Sequence, residues 1–313
     1  MGHAVLNAGA VHTGVTAILP HGGDLFLDKL VAACAVLNGF GKSVGLLQVA
    51  ELGTLETPLL LTNTFSVGTC ANALIRRAVR QNPAIGRSTG TVNPVVLECN
   101  DGYLNEIQTM AVSEADAEAA IDSATEAFAV GAVGAGTGMS CFGLKGGIGS
   151  SSRRVRLDGT DAYLGVLVLA NFGRAGDLRL PDGRRVRVGT AAPEHGSCII
   201  VIGTDIPLDA RQLGRVARRA GVGLAWCGAF WGNGSGDIAV AFTTANRVPH
   251  HASADLLDLR CIHEGLIDHL FQAAAEATQE AVMDALAASP TTTGRDSHTR
   301  RGLSEIMAEP SMS

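Results

Sequence analysis

Aromatic side chains are scarce in this sequence. Nine Phe, two Trp and two Tyr make up 4% of its 313 residues, while 46% are hydrophobic. An interior built around large rings is therefore excluded, and the core must consist of many small aliphatic contacts between closely approaching layers. Positive charge is in short supply as well: 24 Lys and Arg face 30 Asp and Glu, for a net charge of -6. That balance argues against a nucleic-acid backbone as partner, since such binders present a basic face. No apolar run approaches the length of a membrane span, and Met1 to Asn7 has neither a basic n-region nor an apolar h-region, so no membrane partner is expected. The seven cysteines, Cys34, Cys70, Cys99, Cys141, Cys198, Cys227 and Cys261, are odd in number and nowhere form CxxC. They read as reduced core residues of a soluble, cytoplasmic protein.

Cofactor signatures are missing too. The glycine-rich stretch 131–149 invites a phosphate-loop reading, but Gly143 is followed by Leu144, Lys145 and Gly146 rather than by Lys and then Ser or Thr. Nor does Gly134-x-Gly136-x-x-Met139 complete a dinucleotide fingerprint. His250, His251, His263 and His269 lack the HExxH spacing of a helical zinc site. Neither an organic cofactor nor a metal is called for.

What is present is a chain long enough for one large core, expected as a single domain over 1–313. Short apolar runs at 15–19, 30–37, 44–49 and 59–62 read as strands, with 25–36 as a possible helix instead. Ser66 precedes a helical pattern through Ala71, Leu74, Ile75 and Val79 that Pro83 stops, and Ser113 with Asp116 opens a second helix. Strands are expected at 94–99, 162–170 and 238–244. Helices are expected from Asp209 to Arg219 and over 266–286. The segment 174–192 looks like an exposed connection, and 289–313 like a polar, fraying tail.

Several polar groups fall at strand mouths. Ser197 follows Glu194-His195-Gly196 and leads directly into Cys198-Ile199-Ile200-Val201-Ile202, a run that reads as a buried strand. A chain cut between Gly196 and Ser197 would leave a serine that carries its own general base, an α-amine with a pKa of about 7.7–8.0. The plain alternative is a Gly-Ser turn before a strand. Asn171 ends the 162–170 run. Gly232-Asn233-Gly234-Ser235-Gly236-Asp237 brings a hydroxyl and a carboxylate, two residues apart, to the start of another strand, although the same residues also make an ordinary turn. Lys145 is the one cation within the glycine-rich stretch.

Together these stretches resemble the DmpA-type self-processing aminopeptidases, which include the β-aminopeptidases and are more distantly related to the nylon-oligomer hydrolases. The resemblance runs from Thr13-Gly-Val-Thr-Ala-Ile-Leu-Pro20 through Leu61-Thr-Asn-Thr64, Asp101-Gly-Tyr-Leu-Asn105, Gly136-Thr-Gly-Met139, Lys145-Gly-Gly147 and Ala170-Asn-Phe-Gly173 to Gly232-Asn-Gly-Ser-Gly-Asp237. It implies an α/β fold, an αββα four-layer sandwich like that of N-terminal nucleophile hydrolases, and a precursor that cuts itself into chains 1–196 and 197–313. By the same resemblance Ser197 is the nucleophile and Gly196-Ser197 the cleavage point. Asn171 helps to hold the oxyanion, Tyr103 and Lys145 lie at the site, and Ser235 and Asp237 support the nucleophile. Some members carry Glu where Asp237 stands. The implied activity is release of N-terminal amino acids from short peptides, amides or esters through an acyl-enzyme, by a homo-oligomer that the family suggests is a tetramer of cleaved protomers. Rival readings are an acyltransferase of the wider self-processing group and an unprocessed binding protein.

Overall fold

The computed structural model describes residues 1–189 and 196–309. Glu194 and His195, on the approach to Ser197, lie outside them. The chain opens with strands β1 (Gly2–Ala8), β2 (Val11–Ile18) and β3 (Asp28–Gly39), then helix α1 (Leu46–Leu52) and strands β4 (Thr54–Leu55) and β5 (Leu59–Asn63). Helix α2 (Val67–Gln81), strand β6 (Val95–Cys99) and helix α3 (Glu114–Asp122) follow. Next come the short strands β7 (Ser140–Cys141) and β8 (Leu144–Lys145) and the long β9 (Gly147–Leu157) and β10 (Thr160–Asn171). The remainder is β11 (Ser197–Thr204), α4 (Ala210–Trp226), β12 (Gly236–Pro249), α5 (Asp268–Ala287), β13 (Thr292–Thr293), β14 (Thr299–Arg300) and α6 (Leu303–Ala308).

Two sheets stack face to face, one in the order β1-β2-β5-β6 and the other in the order β4-β3-β12-β11-β10-β9. Leu59, Leu61, Val95 and Leu97 of the first meet Leu167, Ile199, Val201 and Val240 of the second in an apolar layer. Helices α2 and α3 cover the outer face of the smaller sheet, and α4 and α5 cover that of the larger one. The αββα four-layer order is thus present. It explains the unbroken apolar run of β11: Cys198, Ile200 and Ile202 face the helices while Ile199 and Val201 face the other sheet, so neither side of the strand is free to be polar. Small residues serve the same end in β3, where Ala33 and Ala35 lie in the helix-side core and let α4 approach.

Four expectations need correction. The 25–36 run is a turn over 25–27 and strand from Asp28 on, not helix, because β3 pairs along its length with β12. Residues 44–49 are not a strand; Gly45 takes φ 87°, which breaks extended backbone, and α1 follows with Val49 buried and Leu47 91% exposed. The described part of the 174–192 connection is charged outside but sends Leu178 and Val186 into the helix-side core. The described part of the tail, 289–309, does not fray: β13 pairs with β14 and Leu303 of α6 is buried, while 310–313 lie outside the described residues.

The cations of α2 tie it to α3. Arg77 bonds Glu118 and Asp122 of α3 at 2.7 and 2.9 Å, and Arg80 pairs with Glu118. Among the described residues no helix is long and apolar enough to cross a membrane.

Candidate active site

Strand order brings Ser197, Asn171 and the Ser235–Asp237 segment together. Ser197, the first residue of β11, stands between the end of β10 and the start of β12, paired in register with Asn171 on one side and with Gly236 on the other. β10 runs antiparallel to β11, and β12 parallel to it, so a strand end and a strand start converge on the same edge. The Ser197 hydroxyl donates to the carbonyl oxygen of Gly196 at 2.8 Å. The Gly236 N–H points at the same pair, 3.1 Å from Gly196 O and 3.3 Å from Ser197 Oγ. From below, the Cys99 thiol donates to Ser197 O at 3.3 Å; burial holds that thiol well above its usual pKa. Gly196 must be glycine for want of space, since a Cβ there would come within 2.4 Å of Asn171 O and 2.7 Å of Phe172 Cα.

Asn171 is held in one orientation. Its Oδ1 accepts from the Ser140 N–H at 2.8 Å and its Nδ2 donates to Asn100 O at 2.9 Å, which leaves one N–H of the amide for another acceptor. Ser235 and Asp237 flank Gly236, and both are fully buried. Asn38, at the end of β3, donates to Gly232 O at 2.8 Å and to Ser235 O at 2.7 Å, fixing that loop. The Ser235 hydroxyl makes no hydrogen bond among the described residues.

Lys145 is wholly buried, and its ammonium donates to three carbonyls, Gly136 O at 2.9 Å, Met139 O at 3.1 Å and Gly146 O at 2.6 Å. All three of its hydrogens thus go to the glycine-rich segment, whose β7–β8 turn carries Ser140 against Asn171. Burial lowers the Lys145 pKa to about 7, opposed by the carboxylate of Asp101. Asp101, buried as well, is raised to about 6 by desolvation, which bonds from Thr13 and Asn105 partly offset. Tyr103 is 38% exposed and is not among the residues that line the cleft at Ser197.

A cleft of about 170 Å³ opens onto Ser197, lined also by Phe40, Lys42, Thr64, Glu98 and Asn100. Glu98 was missed at the level of sequence. It is buried at the end of β6, where Oε1 accepts from the Lys42 N–H at 2.8 Å and Oε2 from the Thr64 hydroxyl. A signal existed: it is the one charged residue in the apolar strand Val95-Val96-Leu97-Glu98-Cys99, and a buried carboxylate needs a reason. A serine hydroxyl beside backbone and amide N–H groups, facing a carboxylate across a small cleft, is suited to acyl transfer from a substrate bearing a cation.

Residues 1–300 match the sequence profile of peptidase family S58. The chain belongs to that family. Beta-peptidyl aminopeptidase BapA of Sphingosinicella microcystinivorans is 37% identical over 312 residues, a span of 93% of this chain and 77% of that protein. The PH0078 protein from Pyrococcus horikoshii OT3 superposes with a TM-score of 0.91 at 46% identity, over 98% of this chain and 89% of that one. The L-aminopeptidase D-Ala-esterase/amidase from Ochrobactrum anthropi, described as a prototype for the serine aminopeptidases and a variant of the Ntn hydrolase fold, gives 0.88 at 34% identity over 96% of this chain and 88% of that one. This S58 member is accordingly a hydrolase of the aminopeptidase type with the N-terminal nucleophile fold.

Proposed function

We propose that the protein cuts itself between Gly196 and Ser197 and that the freed serine then removes N-terminal aminoacyl groups from short peptides, amides or esters. The observation that carries the second half is the cleft that Ser197 shares with Glu98: an aminopeptidase must hold a substrate ammonium at a fixed distance from the scissile carbonyl, and Glu98 is the anion within that cleft. The first half is supported by the Ser197 hydroxyl lying 2.8 Å from the Gly196 oxygen while the Gly236 N–H donates to the same carbonyl.

In self-cleavage, Ser197 Oγ attacks the Gly196 carbonyl carbon, its proton passes to the peptide nitrogen, and the C–N bond breaks to leave an ester. Water then hydrolyses the ester, giving a Gly196 carboxylate and a Ser197 amine. In turnover that amine takes the hydroxyl proton as Oγ attacks the substrate carbonyl, the leaving amine takes the proton, and water releases the acyl group. The free N–H of Asn171 and the Tyr103 hydroxyl are assigned to the oxyanion. Ser235 and Asp237 are assigned to support of the nucleophile, and Lys145 to the backbone that frames it. A 170 Å³ cleft favours small substrates over folded proteins.

The protein is also assigned to the cytoplasm, in keeping with seven cysteines none of which is disulfide-bonded. It is assigned to a homo-oligomer, in keeping with Leu256, Leu257 and Leu259, exposed at 87%, 50% and 44%. Light scattering that gives one protomer's mass would overturn the second assignment.

The test of the activity is a panel of aminoacyl p-nitroanilides with and without N-acetylation, run on wild type and Glu98→Gln. Acetylated substrates should be refused, and the variant should raise KM by about tenfold or more, as expected for loss of a charge-assisted contact. Equal turnover of acetylated and free substrates would refute the aminopeptidase reading. Product transferred to an added amine in preference to water would make the enzyme an acyltransferase.

A further inference from the structure

We propose that Arg300, on the C-terminal hairpin β13–β14, is a positioning residue for the site, tying Tyr103 and Asn171 into one frame. The proposal rests on the assignment of those two side chains to the oxyanion. The Arg300 guanidinium carbon lies 3.5 Å from the centroid of the Tyr103 ring, and its Nε donates to Ser140 Oγ at 3.2 Å. Ser140 in turn gives its N–H to Asn171 Oδ1. One cation therefore contacts the aromatic ring directly and the amide through a single intervening residue.

The rest of the hairpin serves the same contact. His298 stacks on the Tyr103 ring at 4.6 Å and 13°, and its Nδ1 lies 2.8 Å from Tyr103 O. Arg295 donates through its backbone N–H to Leu104 O at 2.8 Å and through Nε to Gly102 O at 2.7 Å. The Lys145 N–H donates to Arg301 O at 2.9 Å, which anchors the segment to the glycine-rich turn. A guanidinium is planar, so it can lie on a ring and keep an N–H directed at a second acceptor, an arrangement that an ammonium does not reproduce. Without it, the Tyr103 ring loses its guanidinium and keeps the stacked His298, and Ser140 Oγ loses its donor. Small displacements of oxyanion donors are costly in rate, since misplacement by about 1 Å can lower it about 100-fold.

The experiment uses the full chain with Arg300→Ala and Arg300→Lys, measuring the self-cleaved fraction, melting temperature, kcat and KM on one aminoacyl p-nitroanilide. Arg300→Ala should lower kcat about tenfold or more with KM held within about threefold. Arg300→Lys should recover less than half of that loss, and guanidinium ion at millimolar concentration should partly restore the Ala variant. Hydrogen exchange on the same proteins should quicken in peptides covering 100–106 and 138–146 and nowhere else. Should the alanine variant fail to fold, Arg300→Lys is read alone for the kcat loss and the local exchange. A kcat within twofold of wild type, or a rise in KM alone, overturns the proposal. If wild type itself hydrolyses nothing, the hydrolase reading of Ser197 fails, and hydrogen exchange alone still decides on Arg300: unchanged protection at 100–106 and 138–146 overturns it, and local loss supports it.

Discussion

The two ends of β11 differ in the opposite sense from what size alone would suggest. At its start lies the Ser197 cleft of about 170 Å³. Beyond its far end the layer between the sheets opens into a larger cavity of about 390 Å³, bordered by Met1, Ile18, Phe128, Val201 and Phe242. The large opening arises where Gly165 and Gly203 pair across the strands and leave the sheet face bare. Among the described residues its polar side chains are Ser150, Ser151 and Ser152 of β9, with no charged side chain on the lining. The small cleft joins the Ser197 hydroxyl and the buried Glu98 carboxylate, with the Gly236 N–H directed at the serine. Convergent polar groups, not volume, are the ground on which we assign chemistry to the Ser197 end.

The sharpest way to break this contrast is Ser197→Ala. Both self-cleavage and hydrolysis should vanish, leaving a single 32.2 kDa chain by intact-mass spectrometry where wild type should give pieces 1–196 and 197–313. Hydrolysis by the alanine variant would move the active end elsewhere. Asn171→Ala comes next. Loss of one oxyanion donor should reduce kcat/KM by roughly 100-fold or more while self-cleavage slows less. Cleaved fraction against time, measured beside kcat/KM on the same batches, separates the two jobs, and an unaltered kcat/KM would strip Asn171 of its role.

Lys145→Met sharpens the comparison through pH. Because the folded pKa is lowered to about 7 from near 10.5, the unfolded chain binds more protons between those values. The contribution of this group to stability is therefore least below pH 7 and rises as pH climbs towards 10.5. Asp101, raised to about 6, acts in the other direction, its contribution falling as pH rises from about 3.8 to 6. The variant should be less stable overall, since the carbonyls of Gly136, Met139 and Gly146 lose their donor. Its urea midpoint should also climb less than that of wild type between pH 7 and 10, and parallel pH curves would show that Lys145 does not titrate there. The smallest effect belongs to the far end. A Cβ at Gly165 would meet nothing nearer than Gly203 O at 3.8 Å, so Gly165→Ala should leave kcat/KM within twofold and stabilise by about 0.5–1 kcal/mol, the usual cost of glycine within a strand. A large loss of activity there would tie the far cavity to catalysis.

What could be read in advance differs between these two ends for a physical reason. Ser197, Asn171 and Ser235 with Asp237 were legible because each sits where a strongly patterned strand begins or stops, and buried strands announce themselves by uninterrupted apolar runs. The far cavity was not legible, since Gly165 and Gly203 are 38 residues apart in the sequence and become neighbours only through the β10–β11 register.

By itself the sequence determined the buried strands β5, β6, β10, β11 and β12, the capped helices α3 and α4, a small-residue core and the motif set that marks the family. Those depend on local periodicity, capping and composition. Only the tertiary structure decided that Glu98 shares a cleft with Ser197, that Lys145 spends its three donors on carbonyls, and that a tail expected to fray returns to lay Arg300 on Tyr103. These are contacts between segments as far apart as Tyr103 and Arg300, set by which strand lies beside which, and no spacing along the chain encodes them.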